Sequence, residues 1–577
     1  MRKGSITIYL SLVFVSILLL ISVIMESARM NVVQTESKSF TYLAADSVLA
    51  GYARQIYEDY GILLVWEDKA LKEQLMKYIQ ANINLADLDI DGTNIMATRL
   101  KDIKIKKVEY AAENGGKAFI NQILSYMKYA VTTESVSKLI DLYSNNSNNQ
   151  KKNDTTEYMT NANEENSSKI SKIVEEINDE ISSLKEKDIK GKLKTERKRT
   201  KFLKDINEII EKIEIYKEEK KEFLKENKGP SGDDYIDGNL KILEQIKNKI
   251  KEEELIDSSD SKEKWEHIEK EIEEQVKRLT VNLPTEEDEK NKGIYESAKA
   301  LLEKGILSIV IDDTSKISST SILSSNLPST KNISQENLSG DIMDKAKIIM
   351  YAGMKFGNYQ SINKKSDLSY ELEYIIAGKD NDRSNLTATV EQMVGIRNIV
   401  TLTYLVTDKG KMAEISAIAT SATTAIGLPF LEPVIKGILT EAWALAEAVN
   451  DIKIVMEGKR IELIKNNKNW NIGLKNLLCT KIKGSDKKSS INYQQFCYLL
   501  MMKENMNTLA LRMLDMLQVN IQKNYNHAFD VNHCFSGFHV EALYETEPLF
   551  VSMPWSIHQL GQKIGAYNFS IKCKAEY

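Results

Sequence analysis

Residues 1–30 read MRKGSITIYLSLVFVSILLLISVIMESARM, with no charged side chain in the twenty positions from Ile6 to Met25. At about 1.5 Å of helix per residue this run covers about 30 Å, the hydrocarbon thickness of a bilayer. A cleaved secretory signal has a shorter apolar core, about 7–15 residues, and ends on a small-x-small motif. Cleavage after Ala28 would put Glu26 at the minus-three position, and cleavage after Ser27 would put Met25 there. Arg2 and Lys3 precede the span, whereas Glu26, Arg29, Glu36 and Lys38 follow it in balance. The excess of basic residues places the N-terminus in the cytoplasm and the bulk of the chain outside. The expected element is a retained single-pass anchor in the cell membrane, with Ile6, Leu10, Val13, Leu18, Ile21 and Met25 facing lipid.

Beyond the anchor the helical pattern continues. Phe40, Ala44, Val48, Tyr52, Ile56 and Tyr60 recur at four-residue steps, and Gly61 follows as a C-cap. The stretch ILLVWEDKALKEQLMKYIQANI then predicts a short apolar run and a second helix. Alternation predicts a strand near Arg99–Tyr110, followed by a turn at Asn114-Gly115-Gly116 and a helix from about Lys117. Two further alternating segments, 533–545 and 566–577, lie at the far end of the chain. In the second, Tyr567, Phe569, Ile571, Cys573, Ala575 and Tyr577 share one face. These strands predict one small antiparallel sheet in a mainly α (α+β) fold, and a long N-terminal helix on a small sheet is also the pilin arrangement.

The chain has 577 residues and only 7 prolines, the first at Pro230, which favours long uninterrupted helices. Its 28 % charged residues nearly cancel to a net −5, so no global field draws it to nucleic acid. The expected order is an anchor over 1–30 and a helix-plus-strand part of the extracytoplasmic core over 31–143. An Asn-rich linker follows over 144–168, then a charged helical insert over 169–292. A Ser-rich connector (293–340) leads to a C-terminal helical part of the core over 341–577. In the insert, Ile170, Ile173, Ile177 and Ile181 form one stripe and Phe202, Ile206, Ile209, Ile213 and Tyr216 another, as in a long antiparallel helical hairpin with a further helix or two after it. The stretch beginning at Met412 is expected to be broken by Pro429 and Pro433 and too charged to be a second span. A single amphipathic helix is expected over 494–522, its methionines filling core.

The residues carry no GxSxG, HExxH, phosphate-loop or GxGxxG pattern, so a non-enzymatic protein without cofactor or metal is expected. His527, His533, Cys534 and His539 crowd one stretch, but on a strand Cys534 points away from His533 and His539. Four cysteines, Cys479, Cys497, Cys534 and Cys573, permit two disulfides in an exported domain, with three pairings open. Chain proximity favours Cys479–Cys497, and Cys534 and Cys573 sit in two strand-like segments that could be neighbours in a sheet. Glu26 and Arg29 lie one turn apart, suited to a local ion pair or to a neighbouring anchor helix. In GKDNDRSNL (378–386), Lys379, Asp380, Asp382 and Arg383 form a loop suited to helix capping or to contacting a partner.

Several signatures together resemble a known group: KGSITIYLSLVF, AADSVLAGYARQIYEDYGILL, NGGKAF, YELEYIIAGKDNDRSNL (370–386), IRNIVTLTYLVTD and AWALAEAVNDIKIVMEGKRIELIK. The chain resembles a bacterial family of unknown function, common in low-GC Gram-positive organisms. Its members are single-pass membrane proteins found with Tad/Flp pilus gene clusters. The resemblance covers roughly 1–144 and 295–577 and implies a TadE- or TadG-like, pseudopilin-associated role. The implied partners are the membrane, other pilin-like or Tad-system proteins, and further copies of the chain. A pilin leader carries Glu five residues after its Gly; here Gly4 is followed at that position by Tyr9, which separates a pilus-associated protein from a pilus-forming one. An extracytoplasmic sensor or ligand-binding module is the alternative.

Overall fold

The structure is a computed structural model. It describes residues 2–577 apart from 67–69, 87–88, 91–92, 151–160, 188, 228–234, 257–261, 282–284, 312, 323–325, 332–340, 478, 480–483, 486, 488–489 and 552–564. The chain forms two compact units, neither of them one continuous stretch. The first takes Met1–Tyr143, Ile317–Thr389 and Gln494–Tyr577, and the second takes Ser144–Lys316 and Val390–Tyr493.

In the first unit one helix runs from Arg2 to Leu49. Its described residues up to Met25 expose their apolar side chains, whereas from Glu26 onward one face is buried through Val33, Ser37, Phe40, Ala44, Ala45 and Val48. That face lies on an antiparallel sheet whose central strand, Cys534–Thr546, pairs with Thr98–Tyr110 on one side and Tyr567–Glu576 on the other. Val65–Trp66 pairs with the start of the central strand. The expected sheet is thus present, with Cys573, Ala575, Phe569 and Ile571 on the core side and Lys572 and Lys574 on the solvent side. Leu71, Leu75, Ile79 and Ile83 of the helix Leu71–Ala86 join the same core. Small side chains at Ala44 and Ala45 allow close approach, and the Tyr544 hydroxyl lies 2.7 Å from Thr41 Oγ1, fixing helix to sheet.

The helix does not continue to Tyr60 as its four-residue steps predict. It stops at Leu49, and a second helix, Arg54–Tyr60, starts after Ala53 donates its N–H to Leu64 O at 2.8 Å. Tyr52 keeps the spacing but sits in this turn, half-exposed. Gly61 does cap, with φ 72°. Asn114, Gly115 and Gly116 take three successive left-handed conformations before the helix that ends at Ala130. A Cβ on Gly116 would lie 3.1 Å from Ala510 Cβ, so glycine serves both the turn and the packing. The expected single helix over 494–522 is two, Tyr493–Met501 and Met506–Asn524. Asn505 caps the second by accepting the Asn507 N–H. Met501, Met502, Met506, Met513 and Met516 are buried, as expected.

In the second unit the described residues of the insert form the helices Asn161–Glu186, Glu196–Asn227, Tyr235–Ile256 and Lys262–Arg278, followed by the start of Glu286–Leu302. Both expected stripes face the shared core, and Leu428, Phe430 and Leu431 complete it. Charges on its surface pair across helices, as in Lys187–Asp205 and Lys212–Glu180; such exposed pairs contribute little each. The Asn-rich segment is less irregular than its composition predicts. Helix reaches into it to Gln150 from one side and from Asn161 on the other, because extending an existing helix is far easier than starting one. A second core joins Glu286–Leu302, Lys409–Ile426 and Glu432–Met456, where Ala298, Ala419, Ala422, Ala442 and Ala444 allow tight helix contact. Gly427, at φ 80°, and Pro429 separate the last two helices.

Candidate functional site

The point where the apolar run ends is built from three chain segments of the first unit, 26–29, 95–96 and 546–550. Arg29 Nη2 and Nε donate to Glu26 Oε1 at 2.6 and 3.1 Å. Arg29 also donates to the carbonyls of Ile95 (3.1 Å), Met96 (3.3 Å) and Glu547 (2.6 Å), and to Thr546 Oγ1 at 3.3 Å. Glu26 Oε2 accepts the backbone N–H groups of Leu549 and Phe550 at 3.1 and 2.7 Å. The expected ion pair is therefore present, but its second expected role is not available. Both side chains are almost fully buried and engaged within the chain, so neither can contact another anchor helix. Sequence spacing shows the i, i+3 pair; the carbonyls it serves come from the opposite end of the chain and leave no local signal.

On the apolar run itself, Ile6, Tyr9, Leu10, Val13, Leu18, Ile21 and Met25 are all exposed. Among the described residues this helix alone is long and apolar enough to cross a membrane. Exposing its large side chains to water would cost on the order of tens of kcal/mol at about 1.5–3 kcal/mol each. The arrangement suits a lipid-embedded rod locked to a folded body at its exit.

The stretch 370–386 forms an internal brace. Glu371 accepts Gly357 N–H and Asn520 Nδ2 at 2.6 Å each, and Glu373 accepts Tyr359 N–H at 2.8 Å. Asp382 accepts Ser369 N–H, Tyr370 N–H and the Ser318 hydroxyl, at 3.0, 3.1 and 2.5 Å. Asn385 accepts Lys379 N–H and donates to Lys379 O. Gly378 has φ 62°, and a Cβ there would lie 2.6 Å from Arg512 Nε. Arg512 in turn donates to the Ile375 and Ile376 carbonyls, tying off the short helix Glu371–Ala377. Asp515 accepts the Ser329 N–H at 2.9 Å and the Tyr374 hydroxyl at 2.8 Å, and burial pushes the Glu371 and Asp515 carboxyls up, against the hydrogen bonds they accept. Asp382 is thus no partner contact: it is fully buried, holding backbone N–H groups of the preceding loop. Lys379, Asp380 and Arg383 remain exposed.

In the second unit a cavity of about 530 Å³ opens beside a buried charge cluster. Arg397 Nε donates to Asp451 Oδ2 at 2.7 Å and Nη1 to Leu463 O at 2.6 Å. Lys465 pairs with Glu447 and, at 2.8 Å, with Asp451. Glu447 also accepts Asn471 and Ile472 N–H groups, and burial pushes its carboxyl up against the pull of Lys465. Trp443 and Trp470 both donate to Ile472 O at 2.8 Å. These contacts hold the loop 461–472 on the helix Glu432–Met456 and leave a polar recess.

The expected disulfides are not formed: all four cysteines are free thiols, Cys479 exposed and Cys497, Cys534 and Cys573 buried. The strand register explains one pair. Cys534 stands opposite Trp66, whereas Cys573 stands opposite Val540, so the two are separated along the sheet. His533 lies in a 3-10 turn before the strand and is exposed, and His539 lies within it, half-buried.

Residues 284–546 match the model of a family of unknown function, DUF5702. No curated protein and no solved structure matches the chain. The matched stretch contains the brace at 370–386 and the Arg397–Glu447 cluster, and it ends on Thr546, an Arg29 acceptor. It is narrower than the resemblance drawn from the sequence, since the anchor helix lies outside it. The match itself says nothing of pilus assembly.

Proposed function

We propose that the protein is a non-enzymatic, single-pass membrane protein with its folded part outside the cytoplasm, acting as an accessory or minor pseudopilin-like component of a Tad/Flp-type pilus or secretion system. The observation that carries this reading is the helix Arg2–Leu49, apolar and exposed along its first half and packed on a sheet along its second. A pilin-like subunit has this form. Tyr9 occupies the position where a filament-forming pilin carries Glu, which favours an accessory role over a filament subunit. Affinity capture of full-length protein from detergent-solubilised membranes tests it: co-purification of Tad-type pilins or of the assembly ATPase complex is expected, and capture of none of them sinks it.

The second reading is a membrane-anchored ligand-binding module, favoured by the recess beside Arg397 and Asp451. A small-molecule library screened by thermal shift separates the two. Under this reading a ligand raises the melting temperature, and Lys468→Ala at the recess removes the shift.

A further inference from the structure

The clasp at the end of the apolar run does more than hold the body to its anchor: it fixes a second apolar element at the same height. Met25 ends the run, and the next residue, Glu26, accepts the N–H groups of Leu549 and Phe550. Arg29, one turn on, donates to Glu547 O. The turn 548–551 is therefore tied to the first helical turn beyond the membrane span. Its side chains Leu549, Phe550 and Val551 are apolar and each is only partly buried. The two charges beneath them are paired and enclosed, so the turn can approach lipid without carrying an unpaired ion with it.

We propose that the turn 548–551 is a second membrane contact, with Leu549, Phe550 and Val551 entering the headgroup layer beside the anchor helix. The inference rests on the anchor reading above. Its occupant is the lipid surface, because the turn is bonded to the helix where that helix leaves the hydrocarbon. Aromatic and aliphatic side chains at this depth are favourable, since the interface accepts apolar area next to polar backbone. A lone helix can spin about its axis; a second contact off that axis sets which side of the body faces the bilayer.

The test uses full-length Cys479→Ser protein, whose other three cysteines are buried, carrying single added cysteines labelled with an environment-sensitive fluorophore. Labels are placed at Phe550→Cys, at Val551→Cys, at Leu18→Cys in the run, and at Ser47→Cys, exposed and twenty-two residues past Met25 on the same helix. In phosphatidylglycerol–phosphatidylcholine vesicles, lipids spin-labelled near the headgroup should quench positions 550 and 551 about threefold more than position 47, as for interfacial side chains. Position 18 should be quenched best by lipids labelled deep in the chain. If 550 and 551 behave like 47 while 18 is quenched, the anchor stands and the second contact is overturned. If 18 is not quenched either, both readings fall. Agreement between 550 and 551 excludes local distortion by either substitution.

Discussion

Arg29 illustrates how one side chain sets the junction between the apolar run and the folded body. Its guanidinium reaches Glu26, three carbonyls and a threonine hydroxyl, and removing it leaves the Glu26 carboxylate buried without its cation. Arg29→Ala is expected to cost about 3–5 kcal/mol, and Glu26→Gln less, because an amide still accepts one backbone N–H. Urea unfolding of the micelle-bound protein measures both; equal, small effects would mean the clasp is slack. Asp408 makes a prediction in pH. It accepts the Tyr404 hydroxyl at 2.7 Å, together with the N–H groups of Gly410 and Lys411. These hold its carboxyl at about 2, below the ordinary 3.8. Its contribution to stability is present above pH 4 and is lost as pH falls toward 2. Carboxylate NMR should show the low midpoint, and Asp408→Asn should flatten the acid limb of the stability curve. Glu371 and Asp515 act with the opposite sign: burial raises their carboxyls, so they bind protons more tightly when folded and acidification favours the fold through them. Of these partnerships the spacing shows Glu26–Arg29; the carbonyls that Arg29 serves and the partners of Glu371 and Asp515 come from distant parts of the chain, while the Asp408 contacts are local, two to four residues away, and belong to no motif that singled them out.

At the scale of elements, period and punctuation carried most of the information. Tyr567–Glu576 alternates along its length and Cys534–Thr546 alternates from Phe538 onward, whereas Thr98–Tyr110 shifts register three times against the central strand, which its sequence alternation does not announce. The insert's isoleucine stripes likewise named its core-facing sides. What periodicity missed were breaks that preserve spacing, at Ala50–Ala53 and at Lys503–Asn505, where a turn leaves the apolar count unchanged. The Asn-Gly-Gly turn is where a single substitution should tell most. Asn114, Gly115 and Gly116 all have φ between 50° and 80°. Gly115→Ala should cost about 1–3 kcal/mol through backbone strain, with an added close approach to Asn507 Nδ2. Gly293→Ala, where a Cβ meets nothing within 4 Å in a helix of ordinary conformation, should stabilise slightly. Chemical denaturation of the two variants decides this, and similar midpoints for both would contradict it.

For the whole molecule, the units interleave along the chain, which no linear reading of linkers could supply. The charged insert looks detachable by composition, yet its core includes Leu428, Phe430 and Leu431 from the C-terminal half. Replacing 161–281 with a short linker should therefore expose those three side chains. Faster amide exchange is expected in Lys409–Ile426 and Glu432–Met456, with the strand Cys534–Thr546 unchanged; an unchanged pattern in all three would show the insert to be independent. The central claim is that the helix Arg2–Leu49 anchors a body lying outside the cytoplasm, and the chain carries its own reporter for it. Cys479 is exposed, while the other three thiols are buried. Intact cells treated with a membrane-impermeant maleimide should label the wild-type protein as fully as lysed cells do, and Cys479→Ser should abolish that label. Labelling of Cys479 only after the membrane is broken would place the body inside and contradict the account.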